Sequence, residues 1–121
     1  MNIPNKNELT RIYGEAEKSA ARFQAVADHF AEIYHHDIAE FFTAPGRTEI
    51  GGNHTDHNHG KVLAGSVHLD CVAAAAPNGT HTVNLISETY NQHLVIDLDN
   101  LAPTEKTTGT EPLLKGIFAG L

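Results

Sequence analysis

Apolar residues recur at three- and four-residue steps along residues 7–36: Leu9, Ile12, Tyr13, Ala16, Phe23, Val26, Phe30, Ile33 and Tyr34. Glu17, Lys18, Arg22, Asp28 and Glu32 fall on the other side. This is a helical period and predicts an amphipathic packing helix, with Gly14 splitting off a short first piece. At residues 38–44 the period changes to that of a short apolar strand, ending on Pro45-Gly46. Four more short runs follow, at 62–69, 71–76, 80–87 and 93–98, each bounded by turn formers. Asn78-Gly79 lies between two of them and signals a two-residue hairpin, since both positions tolerate positive φ. Val83, Leu85 and Val95 alternate with polar neighbours, which predicts a sheet with one wet face. After a polar stretch, Pro112 marks a first helical turn, and Leu113, Leu114, Ile117 and Phe118 supply one apolar stripe. The fold class read from this pattern is α+β: an N-terminal helix packed on a mixed, hairpin-containing sheet, then the start of a second helix.

Length and charge narrow the function classes. A chain of 121 residues is read as a single domain. Its net charge is −7, and between Thr43 and Pro103 the only Lys or Arg residues are Arg47 and Lys61. No basic footprint for nucleic acid exists there. The longest apolar run, at residues 71–76, is far too short to span a bilayer, and the opening residues are polar and mixed rather than signal-like. One cysteine, Cys71, excludes an internal disulfide and suits a reducing cytoplasm. Set among alanines and a valine, Cys71 reads as a small core hydrophobe.

The candidate chemistry sits in residues 44–60, APGRTEIGGNHTDHNHG, read as a long irregular loop. Such loops inside compact domains are usually functional. Gly51-Gly52 permits close backbone approach. Asn53, His54 and Asp56 offer donors and acceptors at short spacing, which suits a polyhydroxylated ligand whose hydroxyls need both. A carboxylate is the strongest acceptor for a sugar hydroxyl, because charge-assisted hydrogen bonds are about twice as strong as neutral ones. The same loop supports a rival. His54, Asp56, His57 and His59 are also competent ligands for a divalent metal, although their spacing matches no established helical pair and no cysteine joins them.

Ala44-Pro45-Gly46-Arg47, Ile50-Gly51 and His54-Thr55-Asp56, with Asn58 and Gly60, closely resemble the galactokinase signature, Gly-Arg-x-Asn-hydrophobic-hydrophobic-Gly-Glu-His-x-Asp-Tyr-x-x-Gly. Val62-Leu63-Ala64, Ser87-Glu88 and Lys115-Gly116-Ile117 are similar to later parts of the same family, so the likeness runs over about residues 41–120. Galactokinases belong to the GHMP kinase superfamily. The resemblance implies a cytoplasmic ATP:sugar 1-phosphotransferase, with Mg2+ arriving on ATP and galactose as acceptor. It implies that Arg47 stabilises transition-state charge and that Arg47, Asn53, His54, Thr55 and Asp56 line the sugar site. Three positions depart from the pattern: Asn53 stands for Glu, His57 for Tyr and Glu49 for Asn. A related sugar therefore stays open.

The superfamily's phosphate loop, of the type Pro-x-x-x-Gly-x-x-Ser-Ser-x, occurs nowhere in the chain, nor does the aspartate that follows it. The chain is accordingly read as the N-terminal part of a galactokinase-like domain, inactive by itself, since phosphoryl transfer rests on positioning and charge stabilisation. Bare sheet edges and apolar faces predict a homodimer, through edge pairing or exchange of an end helix. The alternative, from another class, is a small non-catalytic sugar-binding or His-rich metal-binding module.

Overall fold

The computed structural model describes residues 1–52, 59–103 and 108–121. The chain divides into two compact units, Met1–Ala76 and Pro77–Leu121. Both combine helix with antiparallel strands, so the α+β class holds. In place of one mixed sheet, the described strands form two separate two-stranded sheets.

The first unit begins with α1 (Lys6–Tyr13) and α2 (Ala16–Tyr34). Asn5 caps α1 by a capping box: its side chain accepts from the Glu8 amide, while Glu8 accepts from the Asn5 amide, both at 3.0 Å. Gly14 ends α1 at φ 77, a conformation that costs a Cβ-bearing residue energy. The expected split at Gly14 is therefore real. Leu9 and Phe23 are buried at 1% and 2% exposure, and Ala27 and Ser19 join them. The buried stripe is narrower than the periodicity implied, because Ile12 and Ile33 stay exposed.

β1 (Glu40–Gly51) and β2 (Leu63–Ala75) pair antiparallel, with Phe41 opposite Ala74 and Arg47 opposite Ser66. Two expectations fail here. Pro45-Gly46 does not end the first strand, because in a two-stranded sheet every strand is an edge, where a missing N–H is tolerated. A register shift between Pro45 and Arg47 absorbs the irregularity. The runs at 62–69 and 71–76 are one strand, continuous through Asp70. The Asp70 side chain is only 4% exposed and accepts from the Tyr13 hydroxyl and the Arg22 guanidinium, each at 2.6 Å. A partnered carboxylate can be buried where a lone one would not be. Arg22 also lies over the Tyr13 ring, 5.1 Å from its centroid. Burial first, and then the Asp70 hydrogen bond, raise the Tyr13 pKa above its ordinary 10.0. Phe23 stacks edge-on against Phe41 at 5.1 Å, tying α2 to β1.

The second unit contains β3 (Thr82–Ser87), β4 (Gln92–Asp97) and α3 (Thr110–Ala119). Asn78-Gly79 does not join paired strands. Its asparagine instead folds the chain locally, accepting from the Thr80 amide at 3.0 Å and donating to the Thr82 carbonyl at 2.8 Å. The hairpin that forms is β3–β4, turning at Glu88–Asn91, where the Asn91 amide reaches the Glu88 carbonyl at 3.1 Å. Val83 pairs with Ile96 and Leu85 with Leu94, so these four share one face, and Ile96 is fully buried. Val95 lies opposite Asn84 on the other face and is exposed, which corrects its expected grouping with Val83 and Leu85. In α3, Leu114 and Phe118 are half-buried, whereas Leu113 and Ile117 are exposed.

His81 meets Asp99 at 2.9 Å on the surface of this unit. That hydrogen bond, and then the Asp99 charge, raise the His81 pKa above its ordinary 6.5. The pair's contribution to stability is complete below 6.5 and is lost as pH rises through the raised value. In an NMR titration His81 is expected to titrate above 6.5, and Asp99→Asn should return it towards that value. An unchanged midpoint in the variant would contradict the pairing.

Candidate functional site

The stretch read as one loop over residues 44–60 is strand over its first half. β1 carries Arg47 and Glu49 to Gly51, and the connection to β2 follows from Gly52. Alternation places Arg47 and Glu49 on one face of the strand. A second register shift, between Glu49 and Gly51, leaves Ile50 as an extra residue just before the connection. At the base of the connection, Gly52 has φ +87, and a Cβ there would strike the Lys61 carbonyl oxygen and lie 2.9 Å from the Val62 Cα. Only glycine permits so close an approach of the outgoing and returning chain.

Arg47 is solvent-facing, with its side chain 76% exposed, and stands 3.6 Å from Glu49 Oε1. Such an exposed pair contributes little stability and leaves the guanidinium free to meet an anion. Glu49 is 24% exposed, and its second oxygen, Oε2, is occluded with no hydrogen-bond partner among the described residues. Cross-strand from Glu49 lies Ala64, which offers no polar side chain.

Asn53, His54, Thr55 and Asp56 lie outside the described residues, as does His57. The structure therefore places Arg47 on the strand that enters the connection and fixes the connection's two ends. His59, at φ 58, is exposed on the returning side. Among the described residues no group of three or more His, Cys, Asp or Glu is disposed to hold a metal ion. Nor is any described helix long and apolar enough to cross a membrane. Cys71 is exposed, contrary to its reading as a core residue. It lies opposite Ala44, and the same face of the hairpin bears Phe42, Ala73 and Ala75, all exposed. The sequence pattern missed this bare face, because small apolar residues look alike whether covered or open.

Residues 28–77 match the family model described as the galactokinase galactose-binding signature. That span runs from within α2 through both strands of the hairpin and contains every candidate site residue. Over 84 residues, 69% of this chain, the sequence is 31% identical to the galactokinase of Candida parapsilosis. The matched stretch spans 16% of that relative's length. No solved structure matches the chain.

Proposed function

We infer that this chain, which is related to the galactokinases and carries their galactose-binding signature, presents the sugar-binding part of an ATP-dependent sugar kinase. The reaction assigned is transfer of the ATP γ-phosphoryl group to the 1-hydroxyl of galactose, in the cytoplasm, by an enzyme of GHMP type. One observation carries the reading. The signature spans a hairpin whose first strand carries an exposed Arg47, and Asn53, His54, Thr55 and Asp56 follow that strand in the sequence.

Asp56 is the principal acceptor for sugar hydroxyls, and Asn53, which both donates and accepts, pairs with a hydroxyl of either kind. His54 and Thr55 complete the contacts. Arg47, free of a strong partner, faces the charge that develops on the transferred phosphoryl group. The chain does not fit ATP or its Mg2+ by itself. Its sequence holds no glycine- and serine-rich phosphate cradle, and Mg2+ bound through phosphates needs one. Those groups belong to the assignment for a complete kinase, and no step here runs through them.

Two outcomes test this for the 121-residue chain. With ATP, Mg2+ and galactose it should release no ADP, and ADP release that depends on both galactose and the purified chain would overturn the reading that the chain is inactive by itself. It should also self-associate as a symmetric dimer, because Phe42 is 55% exposed on a bare sheet face and each hairpin has open edges. A monodisperse monomer by light scattering at millimolar concentration would contradict that.

A further inference from the structure

Asn78-Gly79 does not turn a hairpin, and its surroundings point to a chemical role instead. Asn78, Gly79 and Thr80 are all exposed at the start of the Pro77–Leu121 unit. Asn78 Oδ1 accepts two hydrogen bonds from one residue, from the Thr80 amide at 3.0 Å and from the Thr80 hydroxyl at 2.9 Å. The Thr80 hydroxyl is itself held in place. It accepts from the Thr82 amide at 3.2 Å, and the Thr82 hydroxyl, 2.8 Å away, donates to it when the Thr80 proton goes to Asn78. Two donors at these distances from one carbonyl oxygen stabilise negative charge that develops on it.

The group that attacks this carbonyl lies next in the chain. The hydrogen bond from the Thr80 amide closes a ring through the Gly79 peptide, so the Asn78 side chain curls back over the Gly79 nitrogen. Glycine has no side chain to crowd that approach. The space beside its Cα is also open, since a Cβ built there would meet nothing within 4 Å among the described residues. Of all the asparagines in the sequence, Asn78 alone precedes a glycine. We propose that Asn78 is a site of spontaneous modification, at which the Gly79 nitrogen displaces the side-chain amide and Thr80 stabilises the oxyanion formed on the way. The Gly79 amide gives its proton to water, and its nitrogen forms a bond to Asn78 Cγ. The Cγ–Nδ2 bond breaks, and Nδ2 takes up a proton and leaves as ammonia. One water molecule then opens the cyclic imide at either ring carbonyl, giving aspartate or isoaspartate. No oxidant or reductant takes part. The product is one unit more negative than the starting net charge of −7, and it lacks the Nδ2 that donates to the Thr82 carbonyl at 2.8 Å. A carboxylate has no proton to give that carbonyl, so the modification releases the turn that leads into β3.

The test is incubation of the 121-residue chain at neutral pH, followed by peptide mapping that separates asparagine, aspartate and isoaspartate by mass and retention. Wild type, Thr80→Ser and Thr80→Val are compared, both folded and in denaturant. In the folded wild type Asn78 should convert while Asn84, Asn91 and Asn100 keep their amides. Thr80→Ser keeps the hydroxyl and should convert as wild type does, whereas Thr80→Val should convert about fivefold more slowly. In denaturant the donors no longer align, and the three chains should convert alike. If Asn78 keeps its amide as long as Asn100 does, the proposal is overturned. A folded Thr80→Val that converts as fast as wild type, or faster, overturns it too, because Thr80 then restrains the side chain rather than activating it. Equal slowing of Thr80→Val in the folded and denatured chains would trace the effect to sequence neighbourhood alone and would likewise overturn it.

Discussion

Replacing Phe23 with alanine is expected to lower the unfolding free energy of the Met1–Ala76 unit by about 3–5 kcal/mol. Phe23 is 2% exposed and packs against both Tyr13, with ring centroids 6.3 Å apart, and Phe41, at 5.1 Å. It therefore joins α1, α2 and β1 at one point. A loss of 3 kcal/mol in a unit of this size lowers the thermal midpoint by roughly 12–24 °C. Phe23→Leu keeps most of the volume and should cost under about 1.5 kcal/mol. Circular dichroism melts that give both variants the wild-type midpoint would contradict this description of the core.

The second large effect concerns chemistry. In a phosphoryl-transferring protein that contains this sequence, Arg47→Ala is expected to lower kcat by about 10²–10³-fold with little change in the sugar KM. Asp56→Ala should do the reverse, raising the galactose KM and sparing kcat, because the bonds it removes exist in the ground state as well. The split follows from position and charge. Arg47 projects from β1 with its side chain 76% exposed, whereas Asp56 follows Gly52 in the sequence. Steady-state kinetics on both variants checks it. Equal KM effects with unchanged kcat in both would contradict the assignment.

Much of the helical fold was legible in the sequence because amphipathic period and capping are local. The run from Leu9 to Tyr34 gave the helices and Gly14 gave their break. Strand limits were less legible. Pro45 and Asp70 look like terminators, yet one sits on a sheet edge and the other is held by Tyr13 and Arg22, 57 and 48 residues away in sequence. Partners that distant leave no mark in a local pattern. The faces of β4 were misread for a related reason. His93, Leu94, Val95 and Ile96 show no clear alternation, and only the register with β3 decides which side each occupies. At the candidate site, Arg47 and the His54-Thr55-Asp56 motif stood out by residue type and spacing. Glu49 registered only as a departure from the family pattern, since an oxygen occluded without a partner among the described residues is a property of three dimensions.

The most direct measurement of the central claim is an NMR titration of the isotopically labelled chain with galactose and, separately, with zinc. Galactose should shift backbone amides at Arg47, Glu49, Gly51 and Gly52 and along residues 53–58, saturably, and Asp56→Ala should abolish the response. Zinc added to the galactose-saturated chain should give no saturable shifts centred on residues 54–59, because with His54 and Asp56 engaged by the sugar the remaining His57 and His59 make only a weak two-ligand site. Zinc-dependent shifts centred on residues 54–59, in a chain that shows none with galactose, would contradict the sugar site and restore the metal-binding alternative.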